Sequence, residues 1–457
     1  MTQSGAAALP LAIVGFVVAG VLAFVLTPLA ARLATAAGAI DQPDAARRIH
    51  QAPVPRGGGL AVVAAFLLGA VGIVAYASAA HVVPRPYFLS FAEMASLLGG
   101  AVLAAILGFV DDRFDVRARW QFATQVALAL LAVVAGIQIG FINNPLGVAG
   151  APFGSIIYFA GPVAAVVTVL WIVGMINSIN FVDGLDGLSS GVGVIAALTL
   201  GVFSLTIDQN EPVVALLCFV LAGALAGFLP WNFHPARIFV GTTGVFALGY
   251  ALAVLSILGT AKIAVALLVL GVPIIDTFWI IVRRLAQGKS PFTADRGHFH
   301  HRLLDLGLSH REAVLVIYLI CGLLAVLSFV LSGTNKVYAF MGIVVGGGLV
   351  LYLLTRRSQE ALEATSYDDG DPLAAPAPLR AGDRPEDRGS DRRADVQATG
   401  LRATDARATD AWATDARATD VRTTDARVTD SRVPGPRVAE SRVETGSPVE
   451  GAIDPPA

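Results

Sequence analysis

The first 357 residues alternate between long apolar runs and short polar connections. Eleven of these runs are close to the roughly 20 residues that an α-helix needs to cross a lipid bilayer. The pattern therefore predicts an all-α fold, a polytopic membrane bundle of about eleven helices. The predicted spans lie at residues 8–32, 59–80, 94–110, 121–141, 156–176, 188–206, 212–229, 243–260, 262–282, 312–332 and 338–355.

Basic residues are distributed unevenly between the connections at the two ends of this bundle. One set of loops carries sixteen lysines and arginines, whereas the alternate set carries three. Because cytoplasmic loops are enriched in Lys and Arg, the amino terminus is predicted to lie outside and the carboxyl end inside. The loops that are rich in charged and amide side chains all fall on the predicted cytoplasmic side.

Composition supports a membrane protein and narrows its partners. The chain is 55% hydrophobic and 14% charged, which is untypical of a soluble domain. The formal net charge of −2 gives no indication of nucleic-acid binding, and none is expected. Cys218 and Cys321 both lie in apolar runs, which argues against a disulfide framework or a thiolate metal site. The oligomeric state is left open, with a homodimer among the alternatives.

Residues 358–457 differ from the rest of the chain because Pro, Asp, Arg, Thr and Ala dominate them. Between Arg402 and Arg432 the unit A-T-D-A-R repeats every five residues. This segment has little apolar surface to bury, and its period matches neither a helix nor a strand. We therefore expect a membrane-embedded domain at 1–357, followed by a disordered cytoplasmic tail without a catalytic role.

The stretch N-S-I-N-F-V-D-G-L-D-G-L forms the third cytoplasmic loop and concentrates polar side chains between apolar runs. These side chains fall at intervals of three: Asn177, Asn180, Asp183 and Asp186. One continuous helix would turn them onto opposite faces. Gly184 and Gly187 instead predict that the helix ends and the chain turns, so that the polar groups converge. Turn propensity is the alternative explanation, but it accounts for only part of the set.

The second cytoplasmic loop, V-D-D-R-F-D, places Asp111, Asp112 and Asp115 close together. Neighbouring carboxylates repel one another unless a cation lies between them. Oxygen ligands of this kind suit Mg²⁺, which usually binds one or two carboxylates together with phosphate oxygens and water. The alternative is a solvated acidic turn whose charge is balanced by the arginines that follow.

The first and fifth cytoplasmic loops combine basic and imidazole side chains. The first reads R-R-I-H-Q-A-P-V-P-R-G-G-G, and its cations beside a glycine run suit an anionic ligand. The fifth contains H-F-H-H-R, which suits phosphates or sugar hydroxyls better than zinc, because zinc partners are missing nearby. An ordinary positively charged loop is the alternative for the first. Downstream, Ser309 and Glu312 form a capping box that is expected to be structural.

The fourth cytoplasmic loop reads W-N-F-H-P-A-R-I-F-V-G-T-T-G-V and offers further polar candidates. Those that could line a site are Asn232, Arg237, Thr242 and Thr243. The alternative is a short amphipathic segment that re-enters the next span.

Four of these motifs, taken in order, resemble those of the polyprenyl-phosphate N-acetylhexosamine-1-phosphate transferases. This superfamily also includes the phospho-MurNAc-pentapeptide translocases. The matching motifs are R-R-I-H-Q-A-P-V-P-R-G-G-G, V-D-D-R-F-D, N-S-I-N-F-V-D-G-L-D-G-L and H-F-H-H-R, within about residues 8–355. The form H-F-H-H-R is similar to the N-acetylhexosamine branch rather than to the muropeptide branch.

The resemblance implies a membrane enzyme of bacterial cell-envelope synthesis. A polyprenyl phosphate would attack the β-phosphorus of a UDP-sugar, with UDP-N-acetylglucosamine the foremost candidate. UMP would leave, and the lipid-linked sugar would start an envelope glycan such as a cell-wall polymer. The enzyme would lie in the bacterial inner membrane, with its site facing the cytoplasm and with Mg²⁺ as cofactor, or Mn²⁺ as the alternative.

The resemblance also implies roles for particular residues. The catalytic residues would be Asp111, as the candidate base, with Asp112 and Asp183, of which the last two would bind the metal. The nucleotide would contact Asn177, Asn180 and Asp186. Further substrate contacts would come from the first and fifth loops through Arg47, His50, Arg56, His298, His300, His301 and Arg302.

One segment departs from the family pattern. The family usually has Gly-Asp-x-Gly-Ser, with the aspartate as a metal ligand, where this chain has Gly241-Thr242-Thr243-Gly244-Val245. The metal site thereby loses one negative charge, and Asp112 and Asp183 are expected to suffice. The alternatives are a catalytically silent homologue that acts as an envelope-assembly scaffold, or a transporter.

Overall fold

The computed structural model describes residues 3–41, 53–144, 156–206, 211–258, 262–286, 288, 299–331 and 335–349. These residues are mostly helical, which confirms the predicted all-α class. The helices are α1 (Gln3–Ala37), α2 (Gly59–Ala79), α3 (Phe91–Phe114), α4 (Ala118–Val134), α5 (Gly161–Val182), α6 (Leu188–Thr206), α7 (Pro212–Asn232), α8 (Gly241–Ile257), α9 (Lys262–Val269), α10 (Gly271–Ala286), α11 (Phe299–Asp305), α12 (His310–Val330) and α13 (335–349). The predicted tail at 358–457 lies outside the described residues.

Fewer helices are of spanning length than the sequence predicts. Among the described residues, seven are long and apolar enough to cross a membrane: α1, α2, α3, α5, α6, α7 and α12. Helices α9 and α10 would form an eighth span, but they are bent by 77° where Gly271 and Pro273 weaken the helix. Helices α4 and α8 have 17 residues each. Each predicted run overlaps a helix, but the count of eleven spans is not confirmed.

Helix α7 lies at the centre of the described bundle. In its apolar segment 83% of the residues are buried, against 28% in α1, so α1 forms an outer face. The two helices approach closely because a Cβ atom on Gly227 would lie 1.9 Å from the Gly20 carbonyl oxygen. Small residues at such contacts are typical of helices that pack inside a membrane.

The amino-terminal end of α8 is held tightly between α2 and α3. A Cβ atom on Gly59 would lie 2.1 Å from the Gly244 nitrogen, and one on Gly108 would lie 2.4 Å from the Thr242 carbonyl oxygen. The backbones can therefore touch only because these positions lack a side chain. This packing brings the first turn of α8 next to the acidic end of α3.

Two short strand pairs connect the helices. Strand β1 (Ile40–Asp41) pairs antiparallel with β2 (Val54–Pro55), and β3 (Phe141–Asn143) pairs with β4 (Ile156–Tyr158). Arg56 directly follows β2 and forms a bridge to Phe239 in the loop before α8. The first and fourth polar loops are thus connected through their backbones.

The predicted break in the third polar loop is present. Helix α5 ends at Val182 and α6 begins at Leu188, so the intervening residues form a tight turn. Gly187 has a φ of +81°, a left-handed conformation that glycine adopts without a steric penalty.

Candidate functional site

A polar cavity of about 330 Å³ lies where the polar loops meet. It is lined by residues from all five polar loops and from the start of α12: Asp41, Arg56, Asp112, Asn180, Asp183, Gly184, Leu185, Asp186, Asn232, Phe239, Gly241, Thr242, His301 and His310. Carboxylates, amides, imidazoles and one guanidinium therefore face the same space. Three of the four polar side chains that were predicted to converge in the third loop line the cavity: Asn180, Asp183 and Asp186.

Asp112 is buried and caps the amino-terminal end of α8. Its Oδ1 accepts the Thr242 N–H at 2.8 Å. Its Oδ2 accepts both the N–H of Thr243 at 2.9 Å and the hydroxyl of the same residue at 2.6 Å. Gly241 is required beside it, since a Cβ atom there would lie 2.5 Å from Oδ2. The carboxylate thus satisfies N–H groups that a helix leaves unpaired at its start.

Asp111 is held in place by three donors rather than facing the cavity. Its Oδ1 accepts the Val116 N–H at 3.0 Å and the Gln121 side-chain amide at 2.6 Å. Its Oδ2 accepts the Thr242 hydroxyl at 2.7 Å. Thr242 therefore contacts both members of the acidic pair, through its backbone and through its side chain. Asp115, the third carboxylate of this loop, has a side chain that is 92% exposed.

Asp183 has far fewer donors than the α3 pair. Among the described residues its carboxylate accepts one hydrogen bond, from the Ser189 hydroxyl to Oδ1 at 2.5 Å. Burial and the like charges of Asp112 and Asp186 raise the pKa of Asp183 to about 7, against the opposing effect of Ser189. A bound cation would favour the ionised form of this carboxyl group.

Arg56 provides the guanidinium that lines the cavity. It forms an ion pair with the buried Asp41 at 2.5 Å and a longer one with Asp115 at 3.7 Å. Its positive charge also opposes the rise in the pKa of Asp183. Arg56 therefore places a positive charge beside the carboxylates of the cavity, and its predicted contact with a substrate stays a prediction.

Asp186 forms a hydrogen-bonded group with two histidines from other loops. Its Oδ2 accepts His234 Nδ1–H at 2.8 Å and the Ala236 N–H at 3.1 Å. Its backbone N–H donates to His310 Nε2 at 3.0 Å, and the two imidazole rings stack at 4.2 Å. These three side chains have the composition of a metal site, but one possible ligand atom of each already takes part in these hydrogen bonds.

Part of the fifth loop packs against the turn after α5. A Cβ atom on Gly184 would lie 2.2 Å from His300 Nε2, so glycine is needed for the imidazole to approach. His300 is buried, and its ring lies 4.4 Å from that of His301. His301 lines the cavity, whereas His300 supports the turn from behind.

The predicted site residues fall into three groups. Those that line the cavity are Arg56, Asp112, Asn180, Asp183, Asp186 and His301. Those that do not line it are Asp111, Asn177, His300 and Arg302. Arg47, His50 and His298 lie outside the described residues.

Asn177 has a different environment from the one predicted. Its side-chain amide donates to Gln125 on α4 at 2.6 Å and to the Val173 carbonyl at 2.8 Å. The helix has not yet ended at this position, so the side chain is directed to a neighbouring helix instead of the turn. Asn177 therefore connects α5 to α4, and its predicted contact with the nucleotide has no support in the cavity lining.

Several cavity residues were not predicted from the sequence. Asp41 gave no signal beyond its position at the start of the first loop. Phe239 lies in a loop whose aromatic side chains carry no spacing pattern. His234 of the same loop does not line the cavity but contacts Asp186, which does. His310 follows the cap residue Ser309 of a confirmed capping box, and its position suggested only a helix start.

Two carboxylates retain oxygen lone pairs that could bind a cation. Oδ1 of Asp112 accepts one hydrogen bond, so one lone pair is left, whereas Oδ2 accepts two. Oδ2 of Asp183 accepts no hydrogen bond from the described residues. Each residue can therefore offer one oxygen to a hard cation, which is the ligand type that Mg²⁺ and Mn²⁺ take.

Comparisons with known proteins identify the family. A sequence profile of glycosyl transferase family 4 matches residues 94–260. A probable undecaprenyl-phosphate N-acetylglucosaminyl 1-phosphate transferase of Bacillus subtilis (strain 168) is 37% identical over 330 residues, which cover 71% of this chain and 86% of that protein. The chain belongs to glycosyl transferase family 4. Its membership confirms the resemblance to polyprenyl-phosphate N-acetylhexosamine-1-phosphate transferases.

Two further relatives have names of the same kind. A decaprenyl-phosphate N-acetylglucosaminephosphotransferase of Mycobacterium tuberculosis (strain ATCC 25618 / H37Rv) is 35% identical over 377 residues, covering 77% of this chain and 90% of that protein. An undecaprenyl-phosphate alpha-N-acetylglucosaminyl 1-phosphate transferase of Yersinia pestis is 29% identical over 318 residues, which cover 66% of this chain and 79% of that protein.

Proposed function

We propose that this protein transfers N-acetylglucosamine 1-phosphate from UDP-N-acetylglucosamine to a polyprenyl phosphate. A phosphate oxygen of the lipid attacks the β-phosphorus of the nucleotide sugar. The bond from that phosphorus to the oxygen of the α-phosphate breaks, and UMP leaves with the bond electrons. The observation that carries this proposal is the cavity in which Asp112, Asp183 and Arg56 meet beside apolar helices.

The cavity provides what phosphoryl transfer requires. Such reactions depend mainly on positioning and on neutralising charge on the transferred group. The Arg56 guanidinium is suited to bind phosphate oxygens. His301 faces the same space and is suited to bind a phosphate or a sugar hydroxyl.

The residues present fit the divalent metal that family membership suggests. Asp112 Oδ1 and Asp183 Oδ2 would hold Mg²⁺, with Mn²⁺ as the alternative. When bound, the ion would neutralise charge on the phosphates of the substrates. Thr242 and Gln121 hold Asp111 beside Asp112 but outside the cavity lining, so its role as the candidate base stays a prediction.

The nucleotide is expected at the side of the cavity formed by the α5–α6 turn. Asn180 and Asp186 line this side and offer hydrogen-bonding groups for the uridine. Phe239 is the aromatic side chain in the cavity lining, and its ring is suited to stack on the base. The asymmetry of basic residues supports a cytoplasmic position for this site, where the nucleotide sugar is made.

The test is release of UMP from UDP-N-acetylglucosamine by the purified protein in detergent with Mg²⁺. We expect release only when polyprenyl phosphate is present, together with a lipid product that carries the sugar and two phosphates. Parallel assays with other UDP-sugars define the donor. If no UDP-sugar gives UMP above the level of an Asp112→Asn variant that still folds, the proposed activity is wrong.

A further inference from the structure

A second pocket lies on the other side of the carboxyl end of α7. It has a volume of about 440 Å³ and shares no lining residue with the cavity described above. We call it the Trp231 pocket, and its lining residues are Phe24, Pro230, Trp231, Phe233, His234, Pro235 and Arg237. Aromatic side chains, prolines and one guanidinium form its walls.

The Trp231 pocket faces the lipid side of the bundle. Phe24 belongs to α1 and is 47% exposed, and its helix also exposes Val17, Val21 and Val25. An exposed apolar helix face on a membrane protein is in contact with lipid chains. The ring of Phe24 lies 5.3 Å from that of Trp231, so the pocket is continuous with this lipid-facing surface.

Two side chains that line the pocket carry donors without an acceptor among the described residues. Within the described residues, the Trp231 indole N–H is buried and forms no hydrogen bond. The Arg237 guanidinium lies 5.7 Å over the Trp231 ring and makes no ion pair within the described part of the chain. A buried N–H without an acceptor destabilises the protein. An anionic oxygen can reach the exposed Arg237 guanidinium directly, and it can accept from the buried indole N–H once the Trp231 ring turns toward the pocket.

We propose that the Trp231 pocket binds the phosphate headgroup of an anionic phospholipid. Arg237 and the Trp231 N–H contact the phosphate, and the acyl chains lie along Phe24 and the exposed face of α1. Arginine and tryptophan near the membrane surface are suited to such lipids. The acceptor lipid is a poorer candidate, because its phosphate must reach Asp112 and Asp183 in the other cavity.

Occupancy of this pocket affects the loop that holds Asp186. His234 lines the Trp231 pocket and donates to Asp186 Oδ2, as does the backbone N–H of Ala236. A lipid that orders residues 233–237 therefore also orders Asp186 in the active-site cavity. The phospholipid acts as a structural cofactor that couples the membrane composition to the site.

The experiment uses the full-length protein in nanodiscs of phosphatidylcholine alone or mixed equally with phosphatidylglycerol. Thermal stability is the first readout, because it does not depend on the proposed activity. We expect the wild-type protein to have a higher thermal stability in the nanodiscs that contain phosphatidylglycerol. Arg237→Gln is expected to bind this lipid about fivefold more weakly, since one basic contact contributes about 1 kcal/mol. Trp231→Phe keeps the ring, removes the N–H, and is expected to weaken the same response.

Arg119→Gln is the matched control, because Arg119 lies 5.8 Å over the exposed Trp120 ring without lining this pocket. This variant should keep the wild-type response. An equal loss in Arg119→Gln would show general attraction of basic residues to the membrane and overturn the proposal. The proposal is also overturned if the wild-type protein has the same thermal stability in both kinds of nanodisc. A third contrary result is that Arg237→Gln raises only the KM for polyprenyl phosphate.

Discussion

Two acidic regions face the same cavity, and their charges are neutralised in different ways. At the end of α3, Asp112 accepts three hydrogen bonds from the first turn of α8. In the turn after α5, Asp183 accepts one from the described residues and lies near two other carboxylates. Asp112 thus has one oxygen lone pair left for a cation, whereas Asp183 has one oxygen without any donor among the described residues and lies close to like charges.

The sequence groups Asp111, Asp112 and Asp183 as catalytic residues, but this difference indicates that they have two separate tasks. Asp111 and Asp112 join α3 to α8 and set the geometry of the cavity wall. Ionisation of Asp183 beside like charges destabilises the fold, and a carboxyl group with such a raised pKa is typical of a residue retained for binding or catalysis. We infer that the cation depends most on Asp183 and that the α3 pair mainly controls position.

Asp183→Asn is expected to have the largest effect. It removes the carboxylate with the fewest protein donors, so turnover should fall by on the order of 10²- to 10³-fold, as when a charge-stabilising group is lost. The measurement is UMP release at saturating substrates over a range of Mg²⁺ concentrations. Asp305→Asn removes an exposed carboxylate outside the cavity and should behave as wild type. Equal losses in both variants would contradict the special role of Asp183.

Thr242→Val is expected to have an intermediate effect. It removes the hydroxyl that donates to Asp111 but keeps the backbone N–H that donates to Asp112. We expect kcat to fall about tenfold with little change in KM for the nucleotide sugar, because positioning is lost rather than binding. Steady-state kinetics in detergent measure both constants.

Two further variants make this prediction specific. Thr242→Ser keeps the hydroxyl and should recover most of the lost kcat. Thr199→Val removes a hydroxyl that donates to the Ile195 carbonyl within α6, away from the cavity, and should have no effect. A loss in Thr242→Ser as large as that in Thr242→Val would contradict the prediction, because the hydroxyl group would then not be sufficient for the role.

The smallest expected effect is on stability and depends on pH. The folded state raises the pKa of Asp183 from 3.8 to about 7, so it binds this proton more tightly than the unfolded chain. The destabilisation is therefore absent below pH 4, grows as pH rises, and is complete above pH 7. In EDTA, Asp183→Asn should have a higher free energy of unfolding than the wild-type protein. This difference should be about 1 kcal/mol larger at pH 8 than at pH 6. Thermal unfolding in detergent measures this gain, and a gain that is the same at both pH values would contradict the raised pKa.

The sequence predicts the cavity better than it predicts the contacts around it. Asp112, Asn180, Asp183 and Asp186 flank turns at helix ends, and such turns can be inferred from glycine and from interrupted apolar runs. The partners of these residues come from distant parts of the chain. The hydrogen bond from Thr242 to Asp111 and the one from His234 to Asp186 depend on how the helices pack. Local sequence patterns do not encode this packing.

Asn177 and Thr242 illustrate the two ways in which the prediction is incomplete. Asn177 shares a spacing pattern with cavity residues, but it precedes the helix end and contacts Gln125 on α4. Thr242 suggests a lost metal ligand when the segment is compared with the family pattern. In the structure its hydroxyl and N–H join the acidic pair to α8, a role that only the close packing at Gly59 and Gly108 reveals.

The capping of α8 by Asp112 also affects how anionic substrates enter the cavity. A helix carries about half a positive charge at its amino-terminal end, and here that end is directed at the Asp112 carboxylate. The field of this carboxylate is therefore partly cancelled on the substrate side. Two phosphate-bearing substrates can approach each other beside an acidic wall because the dipole of α8 weakens the repulsion between wall and substrates.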